Sequence, residues 1–499
     1  METVSFLMNG FAVALQPQNL LFALVGCFLG TLVGVLPGIG PSAAIAILIP
    51  TTFGLGPTPA IIMLAAIFYG TQYGGTITSV LFNTPGEASS AVTCLDGHEM
   101  AKKGRAGAAL AIAALGSFVG GTLTTMALVF VALPLTSFAL KFGPPEFFAL
   151  IVLSLSLVAS LAGRSLIRGL ISATFGLLLA MVGIDPVAGL PRFTFGQINL
   201  MDGIGFIPVV MGLFGVGEIL LNIEDTGRRM LDAKLKSLVP TADDLKRSAG
   251  PIFRGTVFGF FAGIIPGLGS SAAAFISYAI ERKISKTPEK FGTGMIEGVA
   301  GPETANNAAA NGNLLPLLTL GIPGSGVVAI LMGAFMMNGI IPGPLLFKEH
   351  GDVVWALIAS MYIGNVILLV LNLPLIPMWI AVLKVPYSIL FTLILGFTVI
   401  GAYTLSNSVF DVGIMIVFGV LGYIFKKLDF PLVPIAMTMI LGPLMEQGLR
   451  QSLEMSQGDF MIFFNRPIAA TCLILALVFV LGSLSQAMAR IKGGEDEAA

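Results

Sequence analysis

Charge is the scarcest property of this chain. Only 11% of its 499 residues are Asp, Glu, Lys or Arg, against roughly 25% in soluble domains, so most of its surface is unsuited to water. The 26 basic and 27 acidic residues nearly cancel, and without a basic excess or stripe there is no nucleic-acid footprint. Cys27, Cys94 and Cys472 lie far apart in apolar runs, which argues against a disulfide framework or a thiolate metal cluster. His98 and His350 each stand among charged neighbours and read as surface residues, too few for a metal site. There is no Gly-Lys-Ser/Thr phosphate loop, no recognisable nucleophile–base pair and no His-Glu-x-x-His motif. ATP-driven transport and intramembrane catalysis are therefore unsupported. The first nineteen residues carry no Lys or Arg, so a cleavable leader is not expected.

What the chain has is apolar length and glycine. Hydrophobic residues make up 56% of it, and apolar spans fall at about 20–36, 41–56, 58–82, 106–138, 146–162, 166–184 and 203–221, then at 253–268, 270–281, 292–338, 352–378, 386–402, 411–425, 430–446 and 467–488. The pattern predicts an all-α polytopic membrane protein with about 11–14 membrane segments in the lipid bilayer. Many of the 61 glycines lie inside these spans. A broken helix at membrane depth exposes peptide groups that hydrocarbon cannot satisfy, so it survives only within protein or beside a polar cavity.

The breaks recur. Gly-Val-Leu-Pro-Gly-Ile-Gly-Pro-Ser-Ala-Ala at 34–44 and Gly-Ile-Ile-Pro-Gly-Leu-Gly-Ser-Ser-Ala-Ala at 263–273 match at an offset of 229, and Asn83-Thr84-Pro85-Gly86 matches Gly321-Ile322-Pro323-Gly324 at 238. The chain reads as a first membrane repeat at 1–221, a linker at 222–252, a second repeat at 253–450, and an extra helix with a tail at 451–499. Basic residues collect on the cytoplasmic side. Arg228, Arg229, Lys234, Lys236, Lys246, Arg247 and Arg254 therefore place the linker inside, and Arg282, Lys283, Lys286 and Lys290 follow too soon for a full crossing and return. The Pro-Gly-Leu-Gly segment thus reads as a re-entrant hairpin. One hairpin plus five crossings per half puts the two repeats in opposite orientations, with the C-terminus cytoplasmic.

Inverted repeats with broken helices are the architecture of secondary transporters. Helix N-termini can hold a carboxylate and free C-terminal carbonyls can hold a cation. The expected anion site is Gly38, Gly40 and Ser42 in one hairpin and Gly267, Gly269, Ser270 and Ser271 in the other, with Asn83, Thr84, Pro85, Gly86, Pro323, Gly324 and Ser325 at the second breaks. The most polar stretch at membrane depth, 297–313, adds Asn306 and Asn307, and its milder first-half partner is 69–76. Amides donate to carboxylates and offer oxygens to Na⁺, so a Na⁺ site is expected near Gly40, Thr76, Asn311 and Asn313. Glu87 and Glu303 could instead couple protons, or serve only structure. A carrier is favoured over an anion channel, which needs a continuous polar pathway.

At these motifs the chain resembles the large membrane subunit, TctA, of the tripartite tricarboxylate transporter family. The resemblance rests on Gly-Val-Leu-Pro-Gly-Ile-Gly-Pro at 34–41, Tyr-Gly-Gly at 73–75 with Asn-Thr-Pro-Gly-Glu at 83–87, Asp-Gly-His at 96–98, Gly-Pro-Glu-Thr-Ala-Asn-Asn-Ala-Ala at 301–309 and Gly-Ile-Pro-Gly at 321–324. It implies a multi-pass protein of the bacterial inner membrane that imports a carboxylate, citrate-like or a related di- or monocarboxylate, with Na⁺ or H⁺ as coupling ion and no other cofactor. It also implies two partners, a small four-helix membrane subunit and a periplasmic solute-binding protein.

Overall fold

The computed structural model describes residues 2–161, 165–185, 188–224, 239–383, 385 and 387–493, the side chains of 2, 387, 388 and 486–493 apart. The first part runs α1 (Glu2–Ala14), α2 (Pro17–Val35), α3 (Pro41–Leu48), α4 (Pro57–Phe82), α5 (Thr93–Lys102), α6 (Ala106–Ala139), α7 (Pro144–Leu161), α8 (Leu166–Ala180), α9 (Phe206–Val210) and α10 (Gly217–Glu224). A π-helical turn, Met211–Val216, joins α9 to α10. The second part runs α11 (Ala242–Ile264), α12 (Gly269–Ile284), α13 (Glu297–Gly312), α14 (Leu314–Leu320), α15 (Gly326–Met337), α16 (Leu346–Glu349), α17 (Gly351–Asn372), α18 (Ile376–Val382), α19 (Tyr387–Ser406), α20 (Val409–Lys427), α21 (Val433–Met455), α22 (Ile462–Asn465) and α23 (Pro467–Gly493). Among the described residues, nine helical rods are long and apolar enough to cross a membrane. The chain is an all-α polytopic membrane protein.

Why helix is the only common element follows from the solvent. Hydrocarbon offers peptide groups no partner, so each segment satisfies its own. Among the described residues the one strand ladder, Gly183–Ile184 with Pro191–Arg192, is two residues long. It belongs to a polar corner where Asp185 takes hydrogen bonds from Arg450, at 2.8 and 3.2 Å, and Arg192 reaches Glu446 at 2.8 Å.

Two bodies of contact organise the helices. In one, α2 lies along α4 and α11 along α13, with α6 and α17 closing around them. In the other, α21 packs on α7 and α8, α23 on α7, and α20 on the π turn. The α4 helix is buried in protein from Pro59 to Leu81, which explains how it carries Thr71, Gln72, Thr76, Thr78 and Ser79 at membrane depth.

The structure changes three expectations. The apolar run at 292–338 is three helices, α13 to α15, because Pro316 deprives the Gly312 carbonyl of its helix donor and Gly321 turns left-handed at φ +71°. α1 was not foreseen, since its thirteen residues fall below spanning length. The polar stretch after 222 also contains helix: α10 reaches Glu224 and α11 starts at Ala242. A capping box between Thr241 and Asp244 opens α11. Arg228, Arg229, Lys234 and Lys236 lie outside the described residues.

Candidate functional site

The site begins with glycines. On α2, Gly26, Gly30 and Gly34 face the backbone of Met63, Ile67 and Thr71 on α4; on α11, Gly255, Gly259 and Gly263 face that of Gly301, Ala305 and Ala309 on α13. The two seams share one register, at offsets of 229 for the glycines and 238 for their partners. A Cβ on Gly34 would lie 2.4 Å from the Thr71 carbonyl oxygen, and one on Gly263 2.3 Å from that of Ala309. Helices this close leave no room for a side chain between them.

Each seam ends at a Pro-Gly break. Gly38 and Gly267 both take φ +86°, a region open to glycine. The loop carrying Gly86 returns onto α2, where a Cβ would sit 2.2 Å from Gly34 O. In the second copy Gly324 returns onto α11 in the same way, and its carbonyl accepts the Gly267 N–H at 3.0 Å. Pro266 has no N–H, and that of Gly267 is engaged elsewhere, so Gly263 O loses its helix donors. Asn313 is packed against this spot: a Cβ on Gly324 would meet Asn313 Oδ1 at 2.8 Å and Gly263 O at 3.0 Å. The Asn313 side chain is fully buried, and neither its oxygen nor its nitrogen has a hydrogen-bond partner.

The same helix, α13, also carries a buried polar cluster. Glu303 Oε2 accepts from Thr76 Oγ1 at 2.7 Å, and its other oxygen accepts from the Thr93 hydroxyl. Glu87 accepts from Ser89 Oγ at 2.5 Å and from Asn306 Nδ2 at 3.2 Å. With its amide nitrogen turned toward these acceptors, Gln72 donates to both Glu87 oxygens, at 2.5 and 2.7 Å, and to Asn306 Oδ1 at 2.8 Å. Its other amide atom then stands 3.5 Å from Ser270 Oγ at the start of α12. Among the described residues no Lys, Arg or His pairs with either carboxyl. A buried carboxylate without a cation is costly, so this arrangement calls for protons or a bound positive ion.

The predicted residues divide. Asn306 and Ser270 come to the cluster, and Thr76 holds Glu303. Asn307 donates to Ser117 Oγ at 2.7 Å and to its own helix at Glu303 O, 3.1 Å. Asn311 donates to Gly121 O at 2.8 Å and to Thr124 and Thr125, which ties α13 to α6. Asn307 and Asn311 also line a small cavity with Tyr69, Tyr73 and Asn365. Gly38 packs on Asn222 of α10, whose Oδ1 would be 2.3 Å from a Cβ. Gly40 and Ser42 open α3, and Gly269 and Ser271 lie at the start of α12. Among the described residues, no hydrogen bond joins these four to the two carboxyls. Asn83 is exposed in a left-handed turn, with Thr84 and Pro85 half-buried. Gly324 borders the Asn313 amide, Pro323 is buried just before it, and Ser325 caps α15 by accepting the Val328 N–H at 3.4 Å.

Glu87, Glu303, Gln72, Ser89 and Thr93 carry more of the cluster than the site reading allowed. The signal for the seams was present: extending the 229 register upstream aligns three glycines in each copy. His98 needs correction too. It is buried, with Nδ1 3.0 Å from Val80 O. Its neighbour Asp96 is wholly buried and accepts the N–H groups of Gly292, Gly294 and Met295 at 2.7–3.0 Å and the Tyr278 hydroxyl at 2.8 Å. Charged neighbours in sequence had suggested a solvated loop, whereas the 292–295 turn supplies an interior partner.

Glycine seams, paired breaks and a buried amide–carboxyl cluster meet in a chain whose residues 20–437 match the profile of the tripartite tricarboxylate transporter TctA family. The chain belongs to that family. A protein of Agrobacterium vitis described as "Uncharacterized 52.8 kDa protein in TAR-I ttuC' 3'region" is 49% identical over 485 residues, 97% of each chain. A second from that organism, "Uncharacterized protein in TAR-II ttuC' 3'region", is 47% identical over 226 residues, 45% of this chain and 93% of its own. No solved structure matches. TctA membership makes the chain a transporter subunit.

Proposed function

We propose that this TctA chain is the large permease subunit of a binding-protein-dependent secondary transporter, importing a carboxylate by Na⁺ symport. The two halves form inverted repeats, each with a re-entrant Pro-Gly hairpin, and the bundle of α2–α4 and α11–α13 moves elevator-like against the α7, α8, α21 and α23 body. The protein sits in the inner membrane with its linker and C-terminus inside. It works with a small four-helix membrane subunit and a periplasmic solute-binding protein.

One observation carries this reading. The Asn313 amide is buried without a partner beside the donor-free Gly263 carbonyl, and Pro316 frees the Gly312 carbonyl next to it. Leaving a buried amide unsatisfied costs about 1–3 kcal/mol per group, so the spot is suited to a ligand. Amide and carbonyl oxygens are hard donors of the kind Na⁺ takes, and α11 ends here with the negative end of its dipole. The carboxylate substrate is assigned to the N-terminal turn of α12, through Ser270, and to Gln72 and Asn306. Proton coupling through Glu87 and Glu303 is the second reading, favoured because among the described residues neither carboxyl is paired with a Lys, Arg or His.

Uptake of radiolabelled citrate and of a dicarboxylate by proteoliposomes holding the subunit, its small partner and the binding protein tests the proposal. Accumulation driven by an inward Na⁺ gradient is expected. Accumulation driven by a pH gradient alone would transfer coupling to the carboxyls, and currents far above carrier turnover would indicate a channel.

A further inference from the structure

A second charged feature lies away from the carboxyl cluster. Between the N-terminal half of α11 and the C-terminal end of α12 is a cavity of about 640 Å³ walled by Lys103, Arg247, Arg254, Lys286 and Lys290 against only Glu281 and Glu297. Both acids are spent. Arg247 forks onto Glu297, at 2.8 Å through Nε and through Nη2. Arg254 forks onto Glu281 at 2.8 and 2.6 Å. Lys103, Lys286 and Lys290 are exposed and face the cavity without an acid among its walls to neutralise them. Lys103 gives its ammonium to the Thr293 carbonyl, a neutral acceptor.

The apolar surroundings identify the partner. Ile284 lines the same cavity and is 56% exposed. Phe253, Val257 and Phe261 follow at four-residue spacing along the exposed face of α11, beginning beside Arg254. A basic cavity beside an exposed apolar row on the same helix suits a molecule with an anionic head and an apolar tail. We propose that this cavity holds the phosphate headgroup of an anionic phospholipid, with its acyl chain along Phe253, Val257 and Phe261. A free phosphate shares the head chemistry and would leave the stripe unused. The headgroup would bear on the 285–295 segment, whose far end is anchored by Asp96 through Gly292, Gly294 and Met295, so bilayer composition would reach the α12 hairpin.

Native mass spectrometry of the full chain with phosphatidylglycerol or phosphatidylcholine tests this. Phosphatidylglycerol is expected to be retained preferentially, to resist excess inorganic phosphate, and to weaken by roughly thirty-fold in Lys286→Gln/Lys290→Gln, at the usual contribution of a near-surface lysine. Lys141→Gln, a surface lysine on another loop, should retain the lipid as wild type does. Equal retention of the two lipids, or unchanged binding in the double variant, would overturn the site. Ready displacement by phosphate would overturn the lipid assignment in favour of a soluble anion.

Discussion

The α2–α4 and α11–α13 pairs are built on the same seam and differ in what faces away from it. The glycines of α2 reappear on α11 at an offset of 229. On α4 and α13 the packing positions agree at 238, but Ala65, Phe68, Tyr69, Tyr73 and Gly75 become Glu303, Asn306, Asn307, Asn311 and Asn313. The loop positions exchange character as well, with Glu87 in one copy and Ser325 in the other. The glycines that meet a partner backbone are shared; the polarity of the second copy sits at positions away from that contact. Asn313 is the sharpest case, since glycine at its counterpart, Gly75, closes the equivalent junction against Gly86. A side chain is therefore not needed there for packing.

The largest effect should come from breaking the shared part. Gly34→Leu and Gly263→Leu each force a side chain into a gap where a Cβ alone would approach a carbonyl oxygen within 2.4 Å. Overpacking of this kind costs about 1–3 kcal/mol or more. Both variants should lose the monodisperse peak on size-exclusion chromatography in detergent. Failure of only one would mean that the seams are not mechanically equivalent.

A smaller effect concerns how each copy starts. α2 begins at Pro17 without a side-chain cap, whereas Thr241 and Asp244 cap α11 and Arg105 binds Asp244. Burial works to raise the Asp244 carboxyl, but Arg105 and Thr241 outweigh it and hold it below the ordinary 3.8. A depressed carboxyl stabilises the fold above its unfolded value and stops doing so as pH falls through the folded one. Thr241→Ala should lower the thermal midpoint modestly, for a cap worth about 0.5–2 kcal/mol. Asp244→Asn should flatten the fall in stability below pH 3.8; an unaltered acid limb would remove the Arg105–Asp244 contact from the account.

The repeat offsets, the Pro-Gly turns and the polar character of 297–313 were all legible in the residues, because glycine, proline and buried amides have few other uses in apolar helices. The two carboxyls were harder to place. Glu87 follows a loop and Glu303 lies in a polar run, so either could have been surface. Their hydroxyl partners Thr76, Thr93 and Ser89 come from three elements whose meeting depends on tertiary packing. His98 and Asp96 misled for the reverse reason: a charged stretch is folded inward, Asp96 onto backbone donors about two hundred residues away and His98 onto the Val80 carbonyl.

Direct binding of ²²Na⁺ to the purified subunit, compared with Asn313→Gly, tests the central claim most closely, because glycine restores what the other copy already tolerates. A folded variant with at least about tenfold weaker Na⁺ binding, in line with the loss of one hydrogen-bonding-strength contact, is expected. Wild-type affinity in a folded Asn313→Gly protein would contradict the assignment of the unpartnered amide to the coupling ion.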